Sequence, residues 1–522
     1  MQALASRHQT VAGTPELDIL GVPEDPAQVG SIATRQTLPA RDHRRRAIDR
    51  IDGLDHGGEW SSNIAGAAPK IQHDARLTND QVAQPREHGR DVRWPMVVHR
   101  HDGRIGELAA VLEREAAGLG NHLRHSRDNL GTVQVIRAGR LIDGTGAAVQ
   151  RDRALYVEDG QIVGVEAAGD APADAELVDL SALTVLPGLI DAHVHLVFSR
   201  SAHALADLLV EDDQQLLLRG VAAAREALRA GITTVRDLGG RGGVTFRLRD
   251  AIARELIAGP RILAAGSPIT ITGGHCHFLG LEADDEAAVR AAARRQLKAG
   301  ANCLKIMATG GRMTPGTNIR VAQYSVAELR AAVDEAQRAH VPLAAHALGT
   351  AGIRNATLAG VTTIEHCNWL GPDGTVEFDE AVAVRMAEQG TAVVPTLTPL
   401  KRSASALREQ VTDCMRRMAR LGVPIVAGTD AGVSSMPFDS LPDELEIYVS
   451  DVGLTPVQAI QVATGTAARI LGLEQALGTL VPGRAADLVA VDGDPSVRID
   501  DVRSARLVLK GGRTVVRDGV VL

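Results

Sequence analysis

Two histidines one residue apart, His193 and His195, close an apolar run in Pro187-Gly188-Leu189-Ile190-Asp191-Ala192-His193-Val194-His195-Leu196. On a β-strand side chains alternate faces, so both imidazoles point the same way and can share a metal ion. The spacing alone is weak, because a buried strand can carry two incidental histidines. Its weight comes from matching groups in later apolar runs. Lys305 lies in Cys303-Leu304-Lys305-Ile306-Met307, and His346 in Ala344-Ala345-His346-Ala347. His366 lies in Ile364-Glu365-His366-Cys367, and Asp430 in Ala427-Gly428-Thr429-Asp430-Ala431-Gly432. Taken singly, His346 or His366 reads as a hydrogen-bonded core residue, and Asp430 as a turn or helix cap. Lys305 is harder to dismiss, since lysine is almost never fully buried without a partner. Together they form a nitrogen and oxygen donor set suited to divalent ions. A second pair, His275 and His277, stands on a Gly273-Gly274 loop, where nothing forces the two rings onto one face.

These groups need elements that bring them together. Between Leu183 and about Leu473 the chain has eight apolar β-like runs. They are Leu183–Leu196, Ile232–Leu238, Arg261–Ile269, Cys303–Ala308, Pro342–Leu348, Thr362–Asn368, Ala392–Pro399 and Pro424–Gly432. Helical patterns such as Gln214–Ala230, Glu286–Ala299, Val326–His340 and Phe378–Glu388 separate most of them. Gly231, Gly300, Gly360 and Gly390 stand where helix C-caps belong. Eight strand–helix units are the count of a (β/α)8 TIM barrel, with a doubly wound sheet as runner-up. In such barrels the chemistry sits at the C-terminal ends of the strands, and the six residues fall there. Short β segments flank the region on both sides, including a hairpin with an Asp159-Gly160 turn. They predict a small β-domain built from both ends of the chain. The domain expectation is therefore β-sandwich at 132–182 and 476–522 around an α/β barrel at 183–475.

In chain order, PGLIDAHVHL, LKIMATGG, AAHALG, TIEH and GTDAG resemble the ligand motifs of the amidohydrolase superfamily. VPGRAADLVAVDGDP resembles its C-terminal β-domain signature, so the likeness covers about Val133 to Leu522. The KIMATGG segment is similar to the branch with prolidase-like and imidazolonepropionase-like enzymes. That resemblance implies two divalent metal ions, with Lys305 carboxylated on Nζ and bridging them. His193, His195 and Asp430 would hold one ion, and His346 and His366 the other. Zinc suits this donor set best, with iron, manganese or cobalt as substitutes. Two such ions activate a bridging water near neutral pH, and Asp430 then serves as general base and acid. Carboxylation replaces an ammonium between two cations with an anion.

The same resemblance makes His275 a substrate-holding residue. Arg312 and Arg320, after the fourth run, could pair with a carboxylate, and Tyr324 could face the barrel mouth. Many relatives carry Tyr or His where this chain has Leu348, which points away from strict dipeptidase activity and toward a more apolar substrate. The expected activity is hydrolysis of an amide C–N bond in a small molecule, with dipeptides or N-acyl amino acids favoured. Cyclic amides, carbamates or ureas, and esters or lactones are alternatives on the same site. A non-catalytic barrel assembly protein is the alternative of another class. The resemblance also implies a homo-oligomer.

Composition narrows the setting. The 522 residues carry a net charge of −8 and only 2% aromatics, which argues against a nucleic-acid partner. The four cysteines have no disulfide or zinc-finger spacing, and no apolar run reaches membrane-spanning length. A cytoplasmic location and no membrane partner are expected. Residues 1–131 differ from the rest, with 16 arginines, one lysine and 9 of the 17 histidines. Apart from one amphipathic stretch, Ile105–Leu119, they lack periodicity. They read as translated upstream sequence ahead of a native start near Val133, with a disordered tail or a partner-binding extension as alternatives.

Overall fold

The computed structural model describes residues 133–522 apart from 170, 173, 402–405 and 434. Expectations about residues 1–131, the helix Ile105–Leu119 included, lie outside the described residues. The chain opens with β1 (Gln134–Leu141), β2 (Gln150–Glu158), β3 (Gln161–Ala167) and β4 (Glu176–Pro187). The expected hairpin is β2–β3, and Asp159 and Gly160 carry φ of 48° and 75°, as a type I′ turn requires.

Parallel strands follow, alternating with helices. They are β5 (Leu189–Val194), β6 (Ile232–Asp237), β7 (Arg261–Ala264), β8 (Leu304–Met307), β9 (Leu343–Gly349), β10 (Thr363–Leu370) and β11 (Ala392–Val394). They pair as a three-stranded sheet, β5-β6-β7, and a four-stranded sheet, β11-β10-β9-β8. The result is a TIM-barrel-type α/β fold.

Four runs differ from their expected form, and of Ala392–Pro399 only β11 is strand, with Thr396 left-handed at φ of 49°. Leu183–Leu196 serves two sheets, breaking at Gly188, where a Cβ would stand 2.1 Å from Thr233 Oγ1. The third run stops at Ala264 because Gly266, with φ of 73°, turns the chain. Beyond that turn Ile269 donates to the Lys305 carbonyl and accepts from the Met307 N–H. Pro424–Gly432 forms no strand run, since Asp430 and Gly432 adopt φ of 59° and 102°. Single bridges still tie it to β11 through Ile425 and to β5 through Ala431.

The helices Asp213–Arg229, Glu286–Lys298, Val326–Arg338 and Glu380–Gln389 lie within a few residues of expectation. Asp212 and Ser325 close capping boxes at two of their N-termini. Gly231, Gly300, Gly360 and Gly390 are all left-handed, with φ of 83°, 96°, 83° and 76°.

The chain ends with β12 (Leu488–Val491), β13 (Ala505–Lys510), β14 (Arg513–Arg517) and β15 (Val520–Val521). In place of two facing sheets, both ends of the chain build one eight-stranded sheet, ordered β15-β14-β13-β12-β4-β1-β2-β3. Strand alternation divides its faces. Val489, Val491 and Val508 belong to the same core as Ala223, Ala227 and Leu228 of the helix Asp213–Arg229. Leu488, Ala490 and Leu509 share a separate core with Ile136, Leu155 and Ile162. The sheet curls over that core, for a Cβ on Gly160 would stand 2.6 Å from the Gly511 carbonyl oxygen. Among the described residues no helix is long and apolar enough to cross a membrane.

Candidate metal centre and substrate cavity

His193 is the last residue but one of β5, and Asp430 is fixed beside it by its own N–H donating to the His193 carbonyl at 2.8 Å. Asp430 Oδ1 lies 3.4 Å from His193 Nε2 and 3.3 Å from His195 Nε2. One ligand atom from each of the three lies within 4.8 Å of the other two. The other expected ligands join this group. The His193 and His366 ring centroids are 5.1 Å apart, and those of His346 and His366 are 4.7 Å apart. His193, His195, Lys305, His346, His366 and Asp430 all line one cavity, together with His275 and Arg312.

The imidazoles are held from behind. His193 Nδ1 lies 2.8 Å from Glu365 Oε2, whose other oxygen accepts from Arg236 Nη2 at 3.0 Å. His195 Nδ1 pairs with the Gly239 carbonyl at 3.2 Å, and His366 Nδ1 with Thr396 Oγ1 at 2.7 Å. All three keep Nε2 available as a ligand. His346 is turned the other way, with Nε2 on the Gly310 carbonyl at 3.1 Å, which leaves Nδ1.

Protonation states suit metal binding. Burial and the nearby Lys305 charge lower the His193 pKa to about 3, against the pull of Asp430 and Glu365. Burial first, and then Lys305 despite Asp430, brings His366 to about 4. Burial and neighbouring His275 and His366 put His346 well below its ordinary value. These rings are neutral at pH 7. Burial would raise Asp430, but the histidines around it hold it below the usual carboxylate range. Two imidazoles with Nε2 turned to the cavity and a carboxylate, each already oriented, fit a divalent transition ion.

Lys305 is 2% exposed, and its side chain makes no hydrogen bond or ion pair among the described residues. Burial lowers its pKa, with Glu365 and Asp430 opposing. A lysine so placed spends more time as the free amine, the form that reacts with carbon dioxide.

His275 Nδ1 meets Thr314 Oγ1 at 2.9 Å, and Cys276 Sγ lies 3.5 Å from His275 Nε2. Arg312 lines the cavity without a hydrogen bond or ion pair among the described residues. Two candidates from the sequence are not brought in. Arg320 reaches across to the Pro372 carbonyl at 3.4 Å, and its guanidinium packs where a Cβ on Gly374 would stand. Tyr324 is buried among core residues and donates to the Ala283 carbonyl at 2.7 Å. His277 starts a short 3-10 turn and is exposed.

Sequence reasoning missed the Glu365–Arg236 pair, which is fully buried. The signal was present: opposite charges inside two apolar β runs, neither of which can be buried unpaired. It also missed Thr396 and Asn368 on the cavity wall. Strand alternation could not find them, because His366, Cys367, Trp369 and Thr396 have φ between 49° and 67°.

The amidohydrolase family model matches residues 184–521. Ochratoxinase of Aspergillus niger is 29% identical over 438 residues, covering 74% of this chain and 88% of its own. Imidazolonepropionase of Geobacillus kaustophilus is 27% identical, covering 70% of this chain and 91% of its own. Among solved structures, a Xaa-Pro dipeptidase with methionine bound in its active site superposes with a TM-score of 0.67. It is 32% identical, covering 73% of this chain and 99% of that one.

Proposed function

Because this chain belongs to the amidohydrolase family and is a hydrolase of carbon–nitrogen bonds, we propose that it cleaves an amide of a small molecule at the cavity built by His193, His195, Lys305, His346, His366 and Asp430. The observation that carries this reading is their convergence: six donor groups from five separate runs line one cavity, with a buried lysine among them. We read the two seams between the sheets as closing an eight-membered barrel, with Pro424–Gly432 in the eighth place.

His193, His195 and Asp430 would hold one divalent ion, with His346 Nδ1 and His366 Nε2 holding a second. Zinc is the best match to this donor set. Metal ions bound there would lower the pKa of water and polarise a carbonyl. The free amine of Lys305 would add to carbon dioxide with loss of one proton, and the resulting carbamate would supply an anionic ligand in place of an ammonium. Asp430 takes the proton released when water attacks the carbonyl and returns it to the leaving nitrogen. His275 and Arg312 hold the substrate, the guanidinium pairing with a carboxylate. Dipeptides and N-acyl amino acids are the favoured substrates, the former in keeping with the Xaa-Pro dipeptidase named above.

The test is a hydrolysis screen of dipeptides, N-acyl amino acids and carbamates with metal-loaded protein, paired with metal analysis. Lys305→Ala should lower bound metal and abolish turnover. Wild-type turnover in that variant, or less than one ion per wild-type chain, would refute the proposal.

A further inference from the structure

Resting on the reading that His193, His195 and Asp430 hold an ion, two buried polar residues behind them account for how the three stay in register. Asp191 is 1% exposed and Thr429 is fully buried, and neither lines the cavity. Asp191 stands two residues before His193, and Thr429 stands next to Asp430. Asp191 Oδ1 accepts from the His193 N–H at 3.2 Å and from the Thr429 N–H at 3.1 Å. Its Oδ2 accepts from the Thr429 hydroxyl at 2.6 Å. Thr429 Oγ1 in turn accepts from the Ala431 N–H at 3.1 Å. One carboxylate thereby joins the strand that carries the histidines to the turn that carries Asp430.

That turn has to be imposed. Asp430 is left-handed at φ of 59°, a conformation that persists in a non-glycine residue when its surroundings over-determine it. Here the N–H groups of three consecutive residues are taken: Thr429 by Asp191, Asp430 by the His193 carbonyl and Ala431 by Thr429 Oγ1. The His195 N–H donates to the Ala431 carbonyl at 2.8 Å and ties the far side. Gly428 lets the two segments come this close, for a Cβ there would stand 2.9 Å from His193 Cβ. Three donors converge on Asp191, which suits an ionised carboxylate, since that group only accepts. An amide in its place would set an N–H against the Thr429 hydroxyl. In the reaction proposed above Asp430 both holds an ion and moves a proton, and each duty depends on where its turn is held.

We propose that Asp191 and Thr429 are positioning residues that act as one clamp, aiming Asp430 at the ion it shares with His193 and His195. The test measures zinc affinity by competition with a chromophoric chelator. It also measures kcat and KM at saturating zinc, on a substrate found in the hydrolysis screen, and the thermal midpoint of the metal-free protein. Thr429→Val keeps the shape and removes the hydroxyl. It should weaken one of the two ions about 10–100-fold, the usual effect of losing a group that orients a ligand. It should also lower kcat more than it raises KM, because the loss falls on the reacting groups. Thr429→Ser should recover most of both. Asp191→Asn should weaken the same ion, and the double variant should lose no more than the worse single one, as residues of one unit do.

A folded Thr429→Val protein with wild-type zinc affinity and kcat would overturn the inference, whatever its thermal midpoint. Losses that add up in the double variant would overturn the single clamp. Should Thr429→Val fail to fold, Asp191→Asn and Thr429→Ser carry the same comparison, and wild-type affinity in Asp191→Asn overturns the inference as well. A wild-type protein that binds no zinc would overturn this inference together with the metal-site reading beneath it.

Discussion

Replacing Glu365 by Gln separates what the carboxylate does for stability from what it does for the metal site. Glu365 is fully buried between Arg236 and His193. Although burial works the other way, the Arg236 charge and the bond from His193 hold its pKa below the usual carboxylate range. The amide keeps the shape and loses the charge. Arg236 retains bonds to the Ala192 carbonyl at 2.6 Å and to Thr363 Oγ1 at 3.0 Å, but its charge is then buried uncompensated. Breaking a buried pair from one side costs about 3–5 kcal/mol. His193 also loses the anion that fixes its tautomer, a loss worth roughly 10–100-fold in metal affinity.

The two effects are read separately. Urea unfolding in chelator reports the first, and competition with a chromophoric chelator at pH 7 reports the second. The double variant Arg236→Met with Glu365→Leu removes both charges. It should recover most of the unfolding free energy, as apolar replacement of buried pairs does. Its metal affinity should stay low, because nothing then orients His193. Recovery of both quantities together, or a Glu365→Gln protein with wild-type metal affinity, would refute the reasoning.

Three further outcomes are expected. Glu444, fully buried, accepts from the Leu397 and Thr398 N–H groups at 2.7 Å each, anchoring the loop that carries Thr396 and Leu400 to the cavity. Glu444→Gln should lower unfolding free energy by about 1–3 kcal/mol and raise KM, and unchanged values of both would contradict the anchoring role. A Cβ on Gly311 would stand 2.2 Å from His275 Nε2, so Gly311→Ala should raise KM with metal content intact; equal loss of metal would show that His275 is not confined to substrate. His193 and His275, mainly through burial, have pKa values near 3, and His366 near 4, against an ordinary 6.5. Each is depressed in the folded state, so its contribution to stability is full above pH 6.5 and is lost as pH falls through about 4 to 3. Nitrogen NMR of the metal-free protein should therefore find these rings neutral at pH 5, and titration midpoints near 6 would contradict it.

The alternation of apolar runs and helical patterns carried most of the architecture. Left-handed glycines at 231, 300, 360 and 390 stand where caps were expected. Runs interrupted by backbone turns were less legible. Gly188, Gly266 and Asp430 each break a ladder that hydrophobicity alone would continue. The barrel's first run was read as one strand, although its first half belongs to another sheet. His193, His195, His346, His366, Lys305 and Asp430 were legible because each is a polar residue in an apolar setting. Asn368 and Thr396 were not, since positive φ around them defeats the rule that places every second residue on one face. Arg320 and Tyr324 were placed by loop position alone, which says nothing about where a side chain points.

The sheet that joins both ends of the chain sets a timetable for synthesis. The Thr184 hydroxyl donates to the Gly493 carbonyl, 309 residues further on, and β4 pairs with β12 across a similar gap. At roughly 5–20 residues per second, β4 emerges from the ribosome some 15–60 seconds before its partner exists. For that interval Val185 and Leu186, fully buried in the finished protein, lie along an unpaired strand edge. Residues 424–432, which supply Asp430, also arrive late, so the donor set is complete only after most of the chain has been made. Nascent chains of this protein are thus most exposed to mispairing while their chemistry is still unassembled.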